Sequence, residues 1–275
     1  MSRRPATQKN ERPCHSTNLV GVPAALLAAP IFNAHPVRLS INGVRETNPA
    51  LFRMLADSRS REEAMDAFEN YMGTLFGLDG MAEPQRRGVR RFRSSYLRLL
   101  QGWGFDANNV EGAVLKGWVE SRFGLPPTFH KEPLVGQFSG AGIPYLEEKM
   151  SSRFHNNSIN LQLDLLYEYG QYMIRRFKRP SPHKVTLWRG VNDFVEQRIV
   201  EGSLRNRECV VRLNNLVSFS FSRERADEFG AWILEVEVPV VKLLFFNDLL
   251  PKHPLKGEGE ALVIGGDYLV SASYV

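Results

Sequence analysis

A chain of 275 residues, 43% hydrophobic and 24% charged, can bury a sizeable core without disulfides or metals, so disordered and small disulfide-framed classes are set aside. Its two cysteines, Cys14 and Cys209, form no CxxC, and its six histidines show no HExxH or i, i+4 pair. That usage predicts a reducing, cytoplasmic location and no metal site, while the formal charge of +5 is only a mild basic excess.

Near the start, Leu19 to Phe32 (LVGVPAALLAAPIF) is apolar and follows a basic lead. Two prolines interrupt it, and it falls short of the about 20 residues a membrane span needs. No small-residue cleavage site follows, so an extended stretch packed on the domain is expected. Arg61 to Leu78 carries Ala64, Phe68, Tyr71, Met72 and Leu75 at helical spacing. Gln85 to Leu100 places Val89, Phe92, Tyr96 and Leu99 on one helical face, with Arg86, Arg87, Arg90, Arg91, Arg93 and Arg98 fanned over the rest. Such a face suits an acidic protein partner or a phosphate backbone, and equally suits plain solvation. It lacks the interleaved aromatics of an RNA-binding motif, and nucleic acid is not expected as a partner. Further helices are predicted over Asn109 to Phe123 and Ser158 to Phe177, and the sequence RPSPH at Arg179 to His183 ends this part.

From Lys184 the period changes. The segments KVTLWRG, ECVVRL, LVSFSFS, AWILEVEV, KLLFFND, EALVIGG and DYLVSASYV are short, rich in Val, Ile, Leu and Phe, and separated by polar or glycine-containing breaks. They predict a compact antiparallel β unit. Helices first and strands afterwards predict an α+β fold, with residues 1–180 mainly helical and 181–275 β-rich, either as two regions or as one integrated domain. Neither GxGxxG nor GxxxxGK[ST] occurs, so a dinucleotide is not held in the Rossmann or P-loop manner.

Three strand motifs carry candidate chemistry. Leu187-Trp188-Arg189-Gly190 places an arginine near the end of an apolar strand, where a guanidinium can fork onto a pyrophosphate or ribose, and its glycine lets a ligand approach the backbone. In Leu216-Val217-Ser218-Phe219-Ser220 the two serines share one face, and Ser222 or a neighbour is placed to cap a short helix through Ala226 and Phe229. Gly257-Glu258-Gly259-Glu260 sets two carboxylates on the same side of a strand entrance. Taken singly, each also fits a bland role: a surface arginine, solvated serines, a charged turn.

The order R, then S-x-S with a trailing A-x-x-F-G, then E-x-E before an apolar strand, resembles the arginine–serine–glutamate class of ADP-ribosyltransferases. The resemblance covers Lys184 to Val275. It implies a pair of packed antiparallel β-sheets with NAD in the cleft between them. By motif, Arg189 and Gly190 would contact NAD, Ser218 would orient the glutamate, Glu258 would engage the incoming arginine, and Glu260 would be catalytic. Phe219 stands where the family has the middle threonine of Ser-Thr-Ser, which leaves the cofactor-binding role of Ser220 open. Over its whole length the chain also resembles the family of such enzymes that modify dinitrogenase reductase in nitrogen-fixing bacteria. That resemblance implies transfer to a surface arginine of this nitrogenase iron protein, its inactivation, and control by nitrogen or energy status, with a PII signalling protein as a candidate partner.

The chemistry is consistent with those residue types. Cleavage of the nicotinamide–ribose bond develops positive charge on the ribose, which a carboxylate stabilises. Arginine, with a pKa above about 12, is a poor nucleophile until a second carboxylate orients it and accepts a proton. A glycoside hydrolase also uses two carboxylates, yet it would leave the R and S-x-S elements unexplained. A non-catalytic NAD-sensing adaptor is the alternative from a different class.

Overall fold

Alanine and leucine, both strong helix formers, dominate the apolar stretch near the start of the chain, and there the backbone coils. The expected extended segment is instead two short helices, α1 (Ala24–Ala28) and α2 (Pro30–Ala34). Pro30 lies in the first turn of α2, where its missing N–H breaks no helical bond. Ala24, Leu27, Ala28 and Phe32 are buried, so the stretch does pack on the domain. The structure, a computed structural model, describes residues 12–78, 95–135, 140–151, 157–178, 183–250 and 260–274.

After α3 (Val44–Thr47) and α4 (Pro49–Asp57) comes α5 (Arg61–Phe76), which follows the predicted stripe. The Ser60 hydroxyl accepts the Glu63 N–H at 3.1 Å, and Gly77 at φ 61° stops the helix short of Leu78. Of the arginine-rich segment, residues 85–94 lie outside the described residues. Its end continues as α6 (Tyr96–Phe105), capped by Ser95 and running past the expected stop at Leu100. In α7 (Val110–Phe123), Asn109 is the cap, accepting the Gly112 N–H at 2.7 Å. The small hairpin of β1 (Phe129–His130) and β2 (Glu132–Pro133) and the helix α8 (Gly142–Lys149) were not foreseen. The longest helix, α9 (Asn157–Met173), ends in a π turn over Ile174–Lys178. Residues 179–182 of the proline-rich joint lie outside the described residues.

The second part contains β3 (Lys184–Val191), β4 (Arg198–Gly202), β5 (Glu208–Arg212), β6 (Leu216–Ser220), α10 (Arg223–Asp227), β7 (Trp232–Pro239), β8 (Leu243–Phe246), β9 (Glu260–Ile264) and β10 (Asp267–Tyr274). All but β4 coincide with predicted segments. Eight strands form one antiparallel hydrogen-bonded order, β4-β5-β10-β7-β3-β6-β9-β8. In place of the expected pair of sheets there is one sheet, with two wings: β4 to β3, and β6 to β8. They are joined by a single residue pair, Trp188 with Ser220. By contrast β3 and β7 pair along their whole length, from Lys184 with Pro239 to Val191 with Trp232.

The helix α9 ties the helical part to this sheet. On one side Glu168, fully buried, accepts from the Ser40 hydroxyl at 2.9 Å, the Ile41 N–H at 2.7 Å and Arg45 Nε at 2.6 Å. Asp164 accepts from Trp118 Nε1 at 2.8 Å and from Arg122 at 2.8 and 2.9 Å. On the other side, Tyr167 donates to Val241 O at 2.8 Å, and Gln171 donates to Val240 O and Leu243 O at 2.9 and 3.1 Å. Most of the buried apolar residues form one cluster drawn from both parts of the chain. No helix among the described residues is long and apolar enough to cross a membrane.

A second tie lies just before β6. Buried Asn215 donates to Lys116 O and Leu125 O, both at 2.8 Å, and Asn214 donates to Phe129 O at 2.8 Å. Lys116 O keeps its helical donor without Asn215, but Leu125 O, beyond the end of α7, loses its side-chain donor. Asn215→Ala should therefore lower unfolding free energy by about 1–3 kcal/mol, measured as a shift in denaturant midpoint; an unchanged midpoint would mean water replaces the amide.

Candidate active site

At the junction of the wings the register Trp188↔Ser220, continued by two residues, would set Gly190 opposite Ser218, but that pair does not form. The Ser218 carbonyl takes another donor: Arg189 Nη1, at 2.9 Å. The Ser218 side chain faces the next strand, where its hydroxyl donates to Glu260 Oε1. Glu260, the first residue of β9, is registered against Ser220. Thus Arg189, Ser218 and Glu260, from β3, β6 and β9, meet beside the residue pair that joins the two wings.

Arg189 is four-fifths buried, with its Nη2 3.6 Å from Glu196 Oε2 and its Nε without a partner. Burial lowers its pKa, opposed by the charges of Glu196 and Glu260. A buried guanidinium with an unpartnered N–H is suited to an anionic oxygen. Glu196, in the turn after β3, was not foreseen, since its partner seven residues earlier is fixed by the turn and not by any strand or helix spacing.

Two candidate residues take other parts. An added Cβ at Gly190 would lie 2.0 Å from Ala226 O and 2.9 Å from Gly230 N. The close approach it permits is that of the protein's own α10 and the following turn, which gives the glycine a packing reason in place of the ligand approach expected. The Ser220 hydroxyl accepts the Ser222 N–H at 3.1 Å, and Ser222 caps α10 through the Arg225 N–H at 3.2 Å. The second serine of the motif therefore shapes the turn into α10. Phe219 faces away from both serines and is buried, so the departure from Ser-Thr-Ser leaves the Ser218–Glu260 contact intact. Glu258, with Gly257 and Gly259, lies outside the described residues.

Two residues of the helical part reach this site. Trp103 of α6 donates its indole N–H to the Ser218 hydroxyl at 2.8 Å. Lys116 of α7, fully buried, stands with its Nζ 5.9 Å from the Trp103 ring centroid. Lys116 donates to Asn108 Oδ1 at 2.8 Å and Phe129 O at 3.1 Å, and its Nζ is 3.3 Å from His130 Nδ1. With Nδ1 accepting, His130 Nε2 carries the proton and donates to Glu148 at 2.7 Å. Among the described residues, no group of three or more His, Cys, Asp or Glu side chains is placed to hold a metal ion.

Two measurements check this geometry. Gly190→Ala should destabilise the protein by about 1–3 kcal/mol through overpacking against α10; a neutral effect on the unfolding midpoint would show that α10 can withdraw. Burial lowers the Lys116 pKa from 10.5 to about 8, so within that range the unfolded chain holds the extra proton and stability rises with pH. The stability of the unaltered protein should therefore increase relative to Lys116→Met as pH rises from about 8 towards 10.5, and a constant difference would mean the amine keeps its proton.

Residues 17–272 match the family described as dinitrogenase reductase ADP-ribosyltransferase (DRAT). A curated relative, the NAD(+)–dinitrogen-reductase ADP-D-ribosyltransferase of Rhodospirillum rubrum, is 59% identical over 265 residues, covering 95% of this chain and 96% of the relative. No solved structure matches the chain. Both matches run through the helical part as well as the strands that bring Arg189, Ser218 and Glu260 together, and the chain belongs to the dinitrogenase reductase ADP-ribosyltransferase family.

Proposed function

We propose that this enzyme transfers ADP-ribose from NAD to an arginine side chain of dinitrogenase reductase, releasing nicotinamide, with Glu260 as the catalytic carboxylate. The observation that carries the proposal is the Ser218 hydroxyl donating to Glu260 while Arg189 holds the carbonyl of the same serine. The name of the Rhodospirillum rubrum relative supplies the substrates.

In this mechanism Arg189 binds a phosphate or ribose oxygen of NAD through the edge that Ser218 leaves open. As the bond from the ribose to nicotinamide breaks, positive charge develops at the anomeric carbon, and the Glu260 carboxylate stabilises it in a site partly shielded from water. Nicotinamide leaves with the bonding electron pair as a neutral molecule. A guanidinium nitrogen of the acceptor then attacks the anomeric carbon and loses a proton, for which Glu258 is the proposed acceptor. Inactivation of the iron protein, control by nitrogen or energy status, and a PII protein as partner belong to the same proposal and rest on the family.

The test uses labelled NAD and purified dinitrogenase reductase, with the modified residue mapped by mass. Transfer to one arginine, lost in Glu260→Gln with NAD still bound, is expected; near-normal transfer by that variant would refute the assignment. Glu258→Gln should abolish protein transfer yet leave some NAD hydrolysis, and equal loss of both would remove the division of labour between the two carboxylates.

A further inference from the structure

Trp103 lies on a helix 115 positions before the serine it touches, and its indole N–H joins α6 to the Ser218–Glu260 pair. An indole nitrogen donates and never accepts. The Ser218 oxygen therefore receives the Trp103 proton, and its own hydrogen must point elsewhere. The acceptor it finds is Glu260 Oε1. The polarity of the chain Trp103 to Ser218 to Glu260 is thus set at its first member.

We propose that Trp103 is a positioning residue for the transfer reaction, whose indole N–H fixes the Ser218 hydroxyl as a donor to Glu260 and thereby holds the catalytic carboxylate in one orientation. This inference rests on Glu260 being catalytic. A serine hydroxyl is a free rotor, and with no donor behind it the hydrogen has several directions to choose from. Trp103 removes that freedom before substrate arrives, which is the preorganisation that electrostatic stabilisation requires.

The rest of the local structure holds the indole still. Trp103 is 4% exposed. Its helix is pinned to α7, where Asn109 Nδ2 donates to Gly102 O at 2.9 Å and an added Cβ at Gly102 would lie 2.5 Å from Glu111 Cγ. Lys116, held by three neighbours of its own, stands by the ring. The strands β6 and β9 themselves pair with each other from Leu216 with Ile264 to Ser220 with Glu260.

The test is a double-mutant cycle on transfer by the full-length protein. Trp103→Phe keeps an aromatic ring, though a smaller one, and deletes the N–H; kcat should fall about tenfold with KM for NAD within about twofold, the pattern of an interaction that matters in the transition state. In a Ser218→Ala background the same substitution should change kcat by less than about twofold, because the residue it acts through is gone. A tenfold loss in both backgrounds, or no loss in the first, would overturn the proposal. If Trp103→Phe does not fold, 15N-labelled tryptophan gives a second readout: the Trp103 indole resonance should move in Ser218→Ala, and an unmoved resonance would equally overturn it. Full activity of Glu260→Gln would instead defeat the catalytic assignment itself, whatever the cycle shows.

Discussion

Two wings of a sheet meet at one residue pair, Trp188 with Ser220, and the site follows from where that pairing stops. Had the ladder continued, the Ser218 carbonyl would have been engaged by the backbone near Gly190. The strands instead part, α10 folds over Gly190, and a buried arginine side chain takes the carbonyl. A buried backbone acceptor must find a donor, and here the donor brings a positive charge to the mouth of the junction. On the far side of β6, full pairing with β9 fixes Glu260 beside Ser220 and within reach of Ser218. A break in one ladder and continuity in the next together set an arginine and a glutamate around a single serine.

The helical part is more than a support for this arrangement. Through α9 it is bound to the segment leading into β8 by Tyr167 and Gln171. Through Asn214 and Asn215 the entry to β6 is bound to α7 and the loop after it. These ties fix α6 and α7 relative to the strands, so that Trp103 can meet the Ser218 hydroxyl and Lys116 can lie buried near Arg189 and Glu196. Side chains far apart in sequence are held to hydrogen-bonding distance by elements whose own hydrogen bonds are satisfied elsewhere.

Much of this was legible in the sequence because the signals were local. Strands such as LVSFS and EALVI announce themselves by composition and length, and the order of R, S-x-S and E-x-E placed Arg189, Ser218 and Glu260 on three strands that the structure brings together. The strand β4 was missed because RIVEG is a mostly exposed edge with a bulge between Ile199 and Glu201, so it has no alternation to read. Leu19 to Phe32 is expected to be extended, whereas Ala24–Ala28 and Pro30–Ala34 are helical and Pro30 begins the second helix. The motif offers Gly190 for ligand approach and leaves the role of Ser220 open, whereas in the structure both residues contact α10 and its cap, a tertiary fact with no signature in either residue. Trp103 carries even less local information, since its function depends on a partner in the other half of the molecule.

The central claim is that NAD lies across Arg189 and Glu260 at the wing junction. Its most direct test is a structure of the Glu260→Gln variant with NAD bound, in which the bond to nicotinamide should survive. The account predicts the 2′-hydroxyl of the nicotinamide ribose beside residue 260, and a phosphate or ribose oxygen on Arg189. NAD ordered at another surface, with Arg189 still held only by Ser218 and Glu196, would contradict it.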